Sequence, residues 1–178
     1  MTDRLTIPVS DRDHVSGPRD AATVLVEYGD FECPFCGAAY PIVESIRKKL
    51  GDQLCYVFRH FPITESHPHA EAAAEAAEAA GAQGKFWEMY HMLFEHQGSL
   101  ERDDLLGYAR ALQLDTTRFS QDLAVGTYAA RVHEDFMSGL RSGVNGTPTF
   151  FINGVRYDGV WDNQRVFADA LAKLSHVT

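Results

Sequence analysis

Two cysteines separated by two residues, Cys33-Pro34-Phe35-Cys36, carry the strongest chemical signal in the chain. A cysteine reacts as its thiolate, and the unpaired N–H groups and positive dipole end of a helix N-terminus favour that anion. Pro34 suits the first position of a helix, where its missing N–H costs nothing. Cys33 is therefore expected exposed at the helix end, with Cys36 about one turn on and more covered. Two intervening residues permit a disulfide. The chemistry is thiol–disulfide exchange: a substrate thiolate attacks the Cys33 sulfur of a Cys33–Cys36 disulfide, and a second substrate thiol resolves the mixed disulfide. Run backwards, the same steps reduce a disulfide. The competing chemistry is half of a zinc site. No second Cys-x-x-Cys exists, and the spare ligand types are Cys55, His60, His67 and His69. Cys55 falls in mid-strand, where a small buried hydrophobe is the usual role. The strand-to-helix setting favours redox chemistry, with no metal and no cofactor beyond the cysteine pair itself.

The elements that must hold this pair are legible in outline. Residues 22–28 (ATVLVEY) form a near-continuous apolar run, as in a strand covered on both faces. A helix is expected from Pro34 to about Leu50, with Pro41 inside it, and a second strand over 54–61 (LCYVFRHF). Strand, helix, strand in this order makes a βαβ unit. A block of helices follows. The alanine-rich run 69–80 has strong helix propensity, Phe86, Tyr90, Leu93 and Phe94 form a stripe, and Asp103 and Asp104 open another helix. A short helix is expected over 116–124, and Tyr128, Val132, Phe136 and Leu140 recur as one further helical face. Asn153-Gly154 between 149–152 (TFFI) and 155–157 reads as a hairpin turn, and Asp162 or Asn163 caps a last helix. This order matches an α/β thioredoxin-like fold with a helical insertion between its second and third strands. The expected boundaries are an irregular lead-in over 1–20, a thioredoxin-like domain over 21–62 and 144–178, and an inserted helical subdomain over 63–143.

Within that fold, Pro148 opens the third strand facing the cysteines, and a cis Thr147–Pro148 bond is expected. It would turn the Thr147 backbone outward to pair with an extended substrate segment. Glu27, six residues before Cys33, is a carboxylate on a strand expected to be covered on both faces. Such a group would have a raised pKa and could relay protons to Cys36. Glu32 would oppose a thiolate at its neighbour Cys33. Phe31, Phe35 and Phe86-Trp87 are candidates for an apolar surface near the site, although helical Phe and Trp more often serve the core. His60 and His67 read as capping or packing residues.

Composition narrows the partners. A net charge of −9 argues against a phosphate-tracking nucleic-acid binder. No apolar run is long enough for a transmembrane helix, so no membrane insertion is expected. The polar first twenty residues contain no signal-peptide h-region, which points to the cytoplasm, or to an extracytoplasmic site if the native start is missing. Three cysteines exclude a disulfide-rich scaffold and leave Cys55 without an internal partner.

From Gly17 to about Leu174 the sequence resembles the DsbA-like thiol–disulfide oxidoreductases of the thioredoxin superfamily. The resemblance rests on VEYGDFECPFC (26–36), FRHFPI (58–63), HPHAEAAAEAA (67–77), KFWEMY (85–90) and GTPTFFING (146–154). It implies a nucleophilic Cys33, a resolving Cys36, a cis Pro148 preceded by Thr147, and Glu27 as the family's buried acid. Pro34 and Phe35 fill the dipeptide in which the strongest oxidants of the family carry histidine. Phe35 can neither carry charge nor donate a hydrogen bond, so a milder potential is implied. The implied partners are thiol-containing polypeptides or small thiols, with an unidentified electron donor or acceptor. Similar domains occur fused to sodium/proton antiporters, an arrangement not expected of this chain. The leading expectation is a disulfide oxidoreductase, and the alternative is a non-catalytic redox-sensing or binding module of the same fold.

Overall fold

The computed structural model describes residues 3–174. In chain order its elements are β1 (His14–Ser16), β2 (Thr23–Gly29), α1 (Pro34–Leu50), a 3-10 turn (Gly51–Gln53) and β3 (Leu54–His60). The helices α2 (Ala70–Gly81), α3 (Phe86–Glu95), α4 (Arg102–Ala111), α5 (Thr116–Val125) and α6 (Ala129–Arg141) follow. The chain closes with β4 (Thr149–Ile152), β5 (Val155–Tyr157) and α7 (Gln164–Leu174). The strands form one sheet in the order β1-β3-β2-β4-β5. This is a mixed α/β thioredoxin-like fold. Helices α2–α6 enter between β3 and β4, the second and third strands expected from sequence. Residues 1–2 and 175–178 of the expected outer segments lie outside the described residues.

The chain divides into two compact units: Met1–Gly29, Ala38–Arg59 and Met137–Thr178 in one, Asp30–Gly37 and His60–Phe136 in the other. The first unit holds the sheet. Every residue of β3 is buried, and all but one of β2, as a near-continuous apolar run requires when both faces of a strand are covered. β4 runs antiparallel to β2, with Tyr28 opposite Thr149. Asn153 and Gly154 both take positive φ (49° and 78°) and join β4 to β5 in the hairpin that their types demand. Asn163, rather than Asp162, caps α7: its Oδ1 accepts from Arg165 N (3.1 Å) and Val166 N (3.2 Å).

The lead-in over 1–20 is not irregular throughout. His14–Ser16 pairs antiparallel with β3. Three residues are too few for a periodicity to show. What holds them is the neighbouring Asp13, buried against Arg59 of β3.

In the second unit, seven alanines of α2 (Ala70, Ala73, Ala74, Ala76, Ala77, Ala79 and Ala80) are buried, so small side chains let the neighbouring helices approach. Phe86, Tyr90, Leu93 and Phe94 of α3 are buried as their spacing predicts. Helix α6, whose residues from Met137 on belong to the first unit, departs from expectation. Its buried positions include Val132, Asp135 and Ser138, whereas Leu140 is 46% exposed. Successive steps of four residues drift about 40° around a helix of 3.6 residues per turn, which carries Leu140 off the face begun by Tyr128. The polar residues that replace it in the core are bonded: Asp135 Oδ2 accepts from His60 N (3.2 Å), and Ser138 Oγ shares a 2.7 Å bond with Tyr28 Oη.

Candidate active site

β2 stops at Gly29 and α1 starts at Pro34, so the two cysteines straddle the start of a helix. Asp30 organises the turn between them. Its Oδ1 accepts from Glu32 N (2.8 Å) and its Oδ2 from Ile63 N (2.8 Å). The Asp30 carbonyl accepts from Cys33 N (3.2 Å), and its own N–H donates to Cys36 Sγ at 3.5 Å. Gly37 N then donates to the Cys33 carbonyl (3.0 Å), the first bond of the helix. Cys33 thus sits immediately ahead of an exposed Pro34, where the helix end favours an anion, and a backbone donor faces Cys36. Cys33, Cys36 and Cys55 are all buried.

Cys33 is more covered than its place at a helix end predicts: it is 3% exposed, and Cys36 is 0%. Gln97 is bonded to the same turn: its Nε2 donates to the carbonyls of Phe31 (2.8 Å) and Cys33 (3.0 Å). Gly37 leaves room for it, because a Cβ there would stand 1.9 Å from Gln97 Oε1. Phe35, at 66% exposed, is the residue that projects outward. The expected apolar surface does not form as a group. Phe31 is buried against Phe94 (4.9 Å between ring centroids) and Tyr90 (6.1 Å), and Phe86 is also buried. Trp87 is half-buried, edge-on to Phe86 and Tyr90. Aromatic rings on a helix stripe are drawn into the core by the area they remove from water.

The histidines turn out to be tied to acids. His67 Nδ1 lies 2.7 Å from Asp30 Oδ2, and His69 Nδ1 lies 2.8 Å from Glu32 Oε1. His69 N also donates to Glu32 Oε2 (2.6 Å). Both imidazoles titrate above their ordinary value. For His67, burial alone would lower it, but the Asp30 bond and charge and the charges of Cys33 and Glu32 outweigh that. For His69, the Glu32 hydrogen bond is the main cause. Glu32 therefore does not face Cys33 as a bare charge. His60, Glu78 and Asp135 present metal-ligand atoms within 4.8 Å of one another, all buried. These groups already have partners: His60 Nε2 and Glu78 Oε1 share a 2.8 Å bond, and Arg131 Nη1 donates to Asp135 Oδ1 (2.5 Å). Arg131 supplies countercharge, and the group acts as a buried polar tie.

In the first unit, Glu27 is buried and accepts from Tyr56 Oη (2.7 Å). The Thr147–Pro148 peptide is cis, both residues are half-buried, and Thr149 Oγ1 closes the turn before β4 on the Gly146 carbonyl (2.7 Å). Burial pushes the Cys55 thiol up, with Asp13 adding and Arg19 opposing. Cys55 is therefore expected to resist iodoacetamide in the folded chain at neutral pH and to react once guanidinium unfolds it, as peptide mass spectrometry would read. Gln97 escaped the sequence reading, because an isolated polar residue far along the chain gives no periodic or motif signal. Asp30, His67 and His69 stood in quoted segments, Asp30 with no role, His67 as a packing residue or spare ligand and His69 as a spare ligand.

No described helix is long and apolar enough to cross a membrane. The chain is 52% identical over 167 residues to a Na(+)/H(+) antiporter NhaA 1 of Salinispora arenicola, covering 92% of this chain and 25% of that protein. It spans about a quarter of the length of the curated relatives it matches. Among solved structures, a thioredoxin-like oxidoreductase from Silicibacter pomeroyi is 27% identical with a TM-score of 0.78, covering 92% of this chain and 94% of that one. Wolbachia pipientis alpha-DsbA1 shares the fold at 20% identity with a TM-score of 0.81, covering 98% and 96%. Residues 10–168 match the family model described as Thioredoxin. Because that match takes in the sheet, the helical insertion and the cysteine turn together, the chain belongs to the thioredoxin family.

Proposed function

We propose that the chain is a DsbA-like thiol–disulfide oxidoreductase acting on protein or small-molecule thiols. The observation that carries the reading is the cysteine pair at the start of α1, with Asp30 bonded through its main chain to both residues. In the oxidising direction, a substrate thiolate attacks Cys33 Sγ of the Cys33–Cys36 disulfide, and Cys36 leaves as a thiolate. A second substrate thiolate then attacks the substrate sulfur of the mixed disulfide and releases Cys33. The substrate dithiol loses two electrons and two protons, and the enzyme gains them. An electron acceptor restores the disulfide, and the reductive direction reverses each step. Pro34 fixes the helix start, and exposed Phe35 offers an apolar contact to substrate. Thr147 and Pro148 are assigned to binding an extended substrate segment, and Glu27 to proton transfer during exchange. The oxidoreductase name of the Silicibacter pomeroyi relative supports the reading.

Equilibration of Cys33/Cys36 against a glutathione series tests it. A reversible two-electron transition is expected. A midpoint near about −120 mV identifies a disulfide donor and one near about −270 mV a reductant. No interconversion across the series overturns the proposal.

A further inference from the structure

We propose that His67, bonded to Asp30, is a positioning residue for the exchange reaction: its imidazolium offsets the buried Asp30 carboxylate and stabilises the Cys33 thiolate. The inference rests on the function proposed above and adds a residue outside the Cys-Pro-Phe-Cys motif.

The geometry begins with Asp30. Its side chain is wholly buried, and it is bonded through its backbone to both cysteines. A bare carboxylate at that point would repel the anion that exchange requires. His67 approaches Asp30 Oδ2 at 2.7 Å with its side chain 16% exposed, so solvent screens the pair little. Glu32, the second acid of the turn, is held in parallel by His69 through the imidazole and the backbone N–H. The segment His67-Pro68-His69 thus presents one imidazole to each carboxylate that flanks Cys33. The charged groups acting on His67 are Asp30, Cys33 and Glu32, and those acting on His69 are Glu32, Glu101 and Asp104. The Cys33 charge helps to hold the proton on His67, and linkage makes the effect reciprocal: the protonated His67 favours the charged Cys33 by the same free energy.

Two measurements on the full reduced chain test this. The first is the rate of iodoacetamide alkylation at Cys33 against pH, read by peptide mass spectrometry, for the parent and for His67→Asn. The asparagine amide replaces the Nδ1 donor and cannot carry the charge. The alkylation midpoint is expected to rise by about one pH unit, so that the rate well below it falls about tenfold. An unmoved midpoint in a folded variant overturns the proposal. The second needs no variant: NMR titration of the His67 imidazole before and after carbamidomethylation of Cys33. The His67 midpoint is expected to fall when the Cys33 charge is removed, and coincident curves overturn the proposal. Alkylation consumes the thiolate without an exchange partner. Loss of glutathione exchange with the coupling intact therefore counts against the function, whereas normal exchange with no coupling counts against His67.

Discussion

The Cys36→Ser chain, reduced and mixed with a disulfide-bearing peptide, is expected to accumulate as a mixed disulfide on Cys33, while the Cys33→Ser chain forms none over the same interval. The parent should show only turnover. The reason is the placement of the two sulfurs on one helical start. Cys33 sits ahead of Pro34 where the dipole favours an anion, and Cys36 lies within the first turn, wholly buried. The mixed disulfide is normally broken by Cys36, which attacks from within the same molecule and gains the large effective concentration of an oriented neighbour. A serine hydroxyl is not ionised at neutral pH and does not take over that attack, so the adduct outlives its parent counterpart by orders of magnitude. Non-reducing gels and peptide mass spectrometry read the product directly. Absence of an adduct on Cys33 in the serine variant defeats the exchange mechanism. Adducts without any turnover by the parent would instead fit a redox-sensing module, and a structural zinc site would give neither.

Much of this site was legible before the structure because its signals are local. Cys33, Pro34 and Cys36 announce a strand-to-helix junction by type and spacing, and Asn153-Gly154 announces a turn that only positive φ can make. The run 22–28 betrays a doubly covered strand by its unbroken apolar content. What stayed hidden is polar, buried and long-range. Gln97 reaches the carbonyls of Phe31 and Cys33 across more than sixty residues, and Cys33 is buried where helix position alone predicts exposure. Glu32 is an unfavourable neighbour in sequence, and only the fold brings His69 to it. On α6, a four-residue repeat of apolar side chains suggested one face, whereas the buried face includes Asp135 and Ser138, each satisfied by a partner distant in sequence. Hydrophobic periodicity reports burial driven by area. It is silent where burial depends on a hydrogen-bond partner elsewhere in the chain.

Arg59 gives the same lesson its largest energetic consequence. It lies inside the apolar run of β3, yet its guanidinium is fully buried and spends its donors completely. Nε and Nη2 bond the two oxygens of Asp13 (2.8 and 3.1 Å), Nη1 reaches the Ile7 carbonyl (2.9 Å) and Tyr28 Oη (3.0 Å), and Nη2 reaches the Pro8 carbonyl (3.2 Å). Burial alone would lower its pKa, but the bonds to Asp13 and Tyr28 hold it above the ordinary guanidinium value. This fork fastens residues 7, 8 and 13 of the lead-in to β3, the strand that β1 pairs with. Asp13→Ala leaves a guanidinium buried without its counterion, and Arg59→Ala leaves the carboxylate stranded. Each is expected to cost about 3–5 kcal/mol in urea denaturation. For a chain of this size that lowers the melting temperature by on the order of 10 °C. The double variant Asp13→Leu/Arg59→Met should lose less than the sum of the two alanine variants, because no charge is left stranded. It should not recover fully, because the carbonyls of Ile7 and Pro8 lose their donors. Additive losses would mean that the two residues stabilise the chain independently and that the buried pair is not the clasp that holds the lead-in to the sheet.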